Sequence, residues 1–146
     1  MKKSPLLAMG GYVNYPLAWY ADDDIVARMA RDGVVSSPEI LFSFRESGES
    51  ITTKENDAET LRKKIEATQM YYDWYEKYIE KCSVSDKYHN LYKKTILGAI
   101  NQNKKNSSLE WVYHSTFSAV ISNSLRLLKD KIVSLKHLVR ILISKI

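Results

Sequence analysis

From residue 56 onward apolar side chains return every three or four positions, the period of helices that bury one face. Asn56 and Glu59 have the spacing of a capping box, and Leu61, Ile65, Tyr71 or Tyr72, Trp74 or Tyr75, Tyr78 and Ile79 carry one face to about Lys81. Ser83 and Asp86 can cap a second helix bearing Tyr88, Leu91, Tyr92, Ile96 and Ile100, which the polar run Asn101 to Asn106 interrupts. Ser107 and Glu110 open a third, with Trp111, Val112, Phe117, Val120, Ile121 and Leu125. The last segment, Leu127 to Ile146, aligns Leu128, Ile132, Leu135, Val139, Leu142 and Ile146 on one face.

Before residue 56 the pattern differs. Ser4 to Met9 reads as a short helix with proline at its first position and Gly10-Gly11 as its stop. A second helix runs from about Asp22 to Arg31, where Asp32-Gly33 ends it. Val34-Val35 and Ile40 to Phe44 are strand material, divided by Ser36-Ser37-Pro38. Two short strands do not make an independent sheet, so they are expected at the edge of a larger one. The expected class is therefore α+β and mostly helical, a short strand pair followed by C-terminal helices. Residues 1–56 and 57–146 form its two regions, packed as one unit.

Composition narrows the chemistry. A chain of 146 residues suits one domain with a core. Cys82 stands alone, which removes any intrachain disulfide, cysteine zinc site or CxxC redox pair and fits a reducing compartment. His89, His114 and His137 have no paired ligand spacing. Lys2-Lys3 before Leu6-Leu7-Ala8-Met9 is too short for a signal sequence, and no run is long enough for a membrane span, so a cytoplasmic chain is expected. Charge is divided: residues 1–60 hold six Lys/Arg and ten Asp/Glu, residues 61–146 sixteen and seven. An acidic front precedes a basic helical back.

The chemistry-bearing stretch is Gly10 to Asp24, a paired-glycine turn, an aromatic loop and three carboxylates. Those acids fall where a helix begins, and its unpaired N–H groups and partial positive charge hold acidic side chains ionised. An ionised carboxylate can act as a base. The plain alternative is an acidic cap facing solvent.

Gly10-Gly11, Pro16-Leu17-Ala18-Trp19 and Asp22-Asp23 before an amphipathic helix resemble the acceptor-side loop of glycosyltransferase family two, the inverting sugar transferases of GT-A fold. Downstream, Asp32-Gly33, then Ile40 to Gly48 with Arg45-Glu46-Ser47-Gly48, then Glu49-Ser50-Ile51-Thr52, follow the family's order and spacing. The resemblance implies the C-terminal part of a GT-A α/β fold. It implies Asp23 as catalytic base, Asp22 as a residue that helps orient the acceptor or its partner groups, and Trp19 and Tyr20 as faces for an acceptor sugar, with core packing the alternative for Trp19. Arg45 would contact donor phosphates or pair with Glu46 or Glu49. Asp22 and Asp24 also form an Asp-x-Asp, but in the context of the base motif, so no metal ligand is assigned in this chain. The nucleotide-sugar donor and a divalent metal, Mg or Mn, are implied for a complete enzyme whose N-terminal donor-binding half lies outside this chain. Alone it would be an inactive fragment of an enzyme of surface polysaccharide or glycolipid synthesis.

A rival reading is a noncatalytic basic helical module that binds nucleic acid or a protein. The cluster Tyr71, Tyr72, Trp74, Tyr75 and Tyr78 can serve as a base-stacking platform or as core, and helical spacing favours core, which disfavours nucleic acid. The basic last segment can pack on the other helices or lie on the inner face of an anionic membrane.

Overall fold

The computed structural model describes residues 3–30, 38, 55–81 and 89–146. Among the described residues six helices follow in order: α1 (Lys3–Ala8), α2 (Ala21–Met29), α3 (Ala58–Lys81), α4 (His89–Tyr113), α5 (Phe117–Lys129) and α6 (Leu135–Ile143), with one 3-10 turn at Pro16–Ala18 between the first two. α3 is the central element and packs on α4, α5 and the 3-10 turn.

Asp57 starts α3, because its Oδ1 accepts the Thr60 N–H at 2.7 Å and its carbonyl accepts the Leu61 N–H at 2.9 Å. The cap thus lies one residue beyond the expected Asn56. Asn56 instead donates its N–H to His114 O at 2.7 Å and accepts the Thr116 N–H at 2.9 Å, a single parallel bridge to Ser115. Its Nδ2 adds a bond to Trp111 O at 3.1 Å.

Among the described residues that bridge is isolated and belongs to no strand. The α+β class with a short strand pair, and the GT-A correspondence built on it, are corrected: 78% of the described structure is helical, and no strand or sheet occurs among the described residues. Among the described residues the apolar groups are shared between helices, which satisfy their backbone bonds internally, so the core they form uses no sheet face. The expected strand segments 34–35 and 40–44 lie outside the described residues, as does Arg45.

The polar run Asn101 to Asn106 does not interrupt α4, which is continuous to Tyr113. Asn101 Nδ2 bonds Leu97 O at 3.2 Å and Gln102 Nε2 bonds Asn106 Oδ1 at 2.8 Å, so these residues are helical surface. The last segment, by contrast, is divided. α5 stops at Lys129, Lys131 takes a left-handed φ of 55°, and Ser134 caps α6 by accepting the His137 N–H at 3.2 Å. The turn resets the helical phase: Leu138 and Ile141 are buried, whereas Leu135, Val139 and Ile146 of the expected core face are exposed.

One core cluster joins Leu61 and Ile65 of α3, Val112 of α4, Ala119, Val120 and Leu127 of α5, the turn residues Ile132 and Val133, and Leu138 and Ile141 of α6. Each large aliphatic side chain so buried contributes about 1.5–3 kcal/mol. Asn123 ties α5 to the start of α3 through Nδ2 bonds to Ala58 O at 3.1 Å and Ala119 O at 2.9 Å. A second, aromatic cluster, Tyr15, Ala21, Ala67 and Tyr71 with Trp19, Tyr20, Tyr72 and Trp74 around it, fixes the loop and α2 against α3.

Candidate functional site

Gly10 and Gly11, at φ 84° and 77°, end α1 as expected and turn the chain into the aromatic loop. The turn is held by Arg28 on α2, whose guanidinium donates to Met9 O at 3.0 Å and Gly11 O at 3.1 Å and pairs with Asp24. Asp24 is fully buried, one helical turn before Arg28. The loop itself is strained. Leu17, Ala18 and Tyr20 adopt positive φ of 59°, 54° and 69°, a conformation that costs non-glycine residues about 1–2 kcal/mol each.

The strained backbone presents Trp19 and Tyr20 to α3 and α4. Tyr20 stacks on Tyr71 with centroids 4.7 Å apart and rings 2° from parallel. Trp19 meets Trp111 of α4 edge-on at 5.1 Å. Below them Lys64, 1% exposed, sets its ammonium 4.6 Å from the Trp19 ring centre and 4.9 Å from that of Trp111. Burial draws the Lys64 pKa down, and the carboxylate of Glu110 opposes that shift. Trp111 is fixed in turn by Nε1 donating to Thr68 Oγ1 at 3.0 Å, and Thr68 Oγ1 donates to Lys64 O at 2.8 Å.

Between these walls opens a cleft of about 490 Å³. Asp22, Asp23, Leu17, Ala18, Trp19 and Tyr20 line one side of it, and Tyr72 of α3 with Ser107, Glu110 and Trp111 of α4 the other. Asp22 and Asp23 are exposed at its edge. The Asp23 pKa is raised, first by partial burial and then by the charge of Asp22. The Tyr72 hydroxyl, hydrogen-bonded to Ser107 and Tyr20, is raised by burial as well. A carboxylate whose proton affinity is increased, beside aromatic faces, can accept a proton from a hydroxyl seated in the cleft.

Four of the expected site residues, Trp19, Tyr20, Asp22 and Asp23, thus share this cleft. Asp24 does not: its pairing with Arg28 divides the Asp-x-Asp, since Asp22 faces the cleft and Asp24 the interior. The far wall was not expected as a site. Ser107 and Glu110 read as a helix start and Trp111 as core, because the break assigned before them hid their position inside α4. Lys64 carried a usable signal, since it falls three residues after Leu61 and four before Thr68, on the buried stripe of α3. The aromatic run closes on itself, with Tyr71 stacked on Tyr75 at 5.8 Å and Trp74 on Tyr78 at 5.3 Å. No helix among the described residues is long and apolar enough to cross a membrane. Comparison with known protein families, with characterised proteins and with solved structures returns no match.

Proposed function

We propose that the cleft is the acceptor side of an inverting glycosyl-transfer site. The observation that carries this reading is the placement of Asp22 and Asp23 at the edge of a cleft walled by Trp19, Tyr20, Tyr72 and Trp111. Sugar C–H faces suit aromatic rings, and sugar hydroxyls suit carboxylates. Asp23 takes the proton of the attacking hydroxyl as its oxygen bonds to the anomeric carbon of a nucleotide-linked sugar. The bond from that carbon to the diphosphate oxygen breaks with its electron pair, and attack from the opposite face inverts the centre. Asp22, next to Asp23, raises its proton affinity and thereby its strength as a base.

The donor needs a different surface. The described residues contain no Gly-rich phosphate cradle, and Asp24 is committed to Arg28, so Asp22 and Asp24 do not fit a divalent metal together. A donor-binding partner polypeptide is part of this reading. Without it the chain binds an acceptor and turns nothing over.

Binding of the acceptor is therefore the test. Methyl glycosides of glucose, galactose and N-acetylglucosamine, titrated against the full chain, are expected to give saturation-transfer signals in NMR and to quench tryptophan fluorescence. Trp19→Ala abolishes both, and Asp23→Asn leaves the fold unchanged but weakens binding by about 5- to 100-fold, the loss of one or two charge-assisted hydrogen bonds. Absence of saccharide binding, or binding indifferent to both substitutions, overturns the proposal.

A further inference from the structure

α6 buries one apolar face and leaves another uncovered. Leu138 and Ile141 are 5% and 1% exposed, whereas Leu135 and Ile143 are 66% exposed, Val139 47% and Ile146 96%. Positions 135, 139 and 143 are spaced by four residues each, which puts them within about 80° of one another around the helix axis, and Ile146 follows just beyond the helix end. They form a continuous aliphatic row beside the core contact, and a surface row of that kind marks an interaction site.

The row has a cationic border. Lys136 and Arg140 each follow a row residue by one position, about 100° further round, and both are exposed. Residues 126–146 hold six Lys/Arg against one Asp. That acid, Asp130, is engaged by Arg126 at 3.4 Å, so it does not neutralise Lys129, Lys131, Lys136 or Arg140. Where the row begins, Leu135 also borders a cleft of about 420 Å³ into which Lys105, Lys131 and His137 face. Aliphatic side chains flanked by cations, with a basic recess at one end, match the boundary between acyl chains and anionic headgroups.

We infer that α6 docks this chain on an anionic lipid bilayer, with Leu135, Val139, Ile143 and Ile146 entering the acyl boundary and Lys136 and Arg140 contacting headgroup phosphates. The helix lies in the surface plane, since it is nine residues long and far short of a span. A basic surface alone would bind any polyanion. The adjoining aliphatic row adds a requirement that a lipid surface meets and a nucleic acid does not.

Co-sedimentation of the full chain with large vesicles tests the inference. Vesicles of mixed phosphatidylglycerol and phosphatidylcholine are expected to retain the chain, and vesicles of phosphatidylcholine alone to retain it at least tenfold less. Lys136→Gln with Arg140→Gln should weaken binding by about 30-fold and reduce its salt dependence. Val139→Ser with Ile143→Ser, both at exposed positions and verified as folded by circular dichroism, should weaken it by on the order of ten-fold or more. Three outcomes overturn the inference. One is equal retention by neutral and anionic vesicles. Another is vesicle binding that survives the double serine variant while a single-stranded oligonucleotide competes at equal charge, which assigns the surface to polyanions. The third is a dimer in sedimentation equilibrium that dissociates with the serine variant and leaves no vesicle binding, which assigns the row to a second copy.

Discussion

Replacing Arg28 by methionine removes the cation paired with the buried carboxylate of Asp24. The side chains are 17% and 0% exposed, so the exchange leaves a carboxylate inside the protein with its counter-charge gone. Breaking a buried pair in this way costs about 3–5 kcal/mol. The same guanidinium holds the carbonyls of Met9 and Gly11, but both lie at a surface turn that water can reach, so they add little beyond that range. For a chain of this size the loss corresponds to a fall in Tm of roughly 10–15 °C. Replacing both members of the pair should rescue the fold. Among the described residues Asp24 Oδ1 and Arg28 Nε have no hydrogen-bond partner, so the pair is incompletely satisfied, and Asp24→Leu with Arg28→Met should recover most of the stability. Urea denaturation followed by far-UV circular dichroism measures both variants. With the pair lost and α1 no longer tied to α2, limited trypsin digestion should cut the single variant faster than the parent chain. A single variant that loses less than about 1 kcal/mol, or a double variant no better than the single, refutes the view that this pair locks the loop in place.

Ala18 sits at φ 54°, where a β-branched side chain fits worst, so Ala18→Val should cost about 1–2 kcal/mol while Ala18→Gly is neutral or slightly stabilising; equal urea midpoints for the two would contradict the strained loop. Because the folded chain holds the Asp23 proton more tightly than the unfolded chain does, ionising Asp23 costs the fold something once the pH passes the ordinary aspartate value of 3.8. Asp23→Asn should accordingly raise Tm near pH 7 and leave it unchanged at about pH 3, and the reverse pattern in calorimetry would sink the assignment. Burial, joined by the charge of Asp24, pushes the Tyr15 hydroxyl from 10.0 up to about 12, and Tyr71 and Tyr72 move the same way. The stability the Tyr15 proton confers is full below pH 10.0 and is lost as the pH rises through about 12, so Tyr15→Phe should move alkaline unfolding upward, and an unchanged midpoint would count against the buried hydroxyl.

Much of the helical framework was legible because helical period and caps are local signals. The glycine stop after α1 and the acidic start of α2 are examples, α2 running over Ala21–Met29 against an expected Asp22 to Arg31. Errors arose where a long-range partner decides. Asn56 has the residue type of a cap, but the carbonyl of His114 claims its N–H and Asp57 does the capping. Asn101 to Asn106 reads as a break by propensity, and packing of α4 on α3 overrides that. At the end of the chain the repeat of aliphatic residues gave no sign that Lys131 would take a left-handed turn and change which of them reach the core.

The site was half legible for a related reason. Three consecutive aspartates on a helix point about 100° apart, so they cannot share one surface. Asp24 falls on the side of Ile25 and enters the interior, and Asp22 and Asp23 are left to the cleft. An acidic cap that only faced solvent would need neither a buried ion pair behind it nor three non-glycine residues at positive φ in front. At about 1–2 kcal/mol each, that strain persists because the surrounding packing over-determines it, through Tyr15, Tyr20 and Tyr71 on one side and Trp19, Lys64 and Trp111 on the other. A connector between α1 and α2 could avoid the strain with glycines. Its cost is explained if the loop must hold Trp19 and Tyr20 beside Asp22 and Asp23, which is the arrangement a saccharide would need.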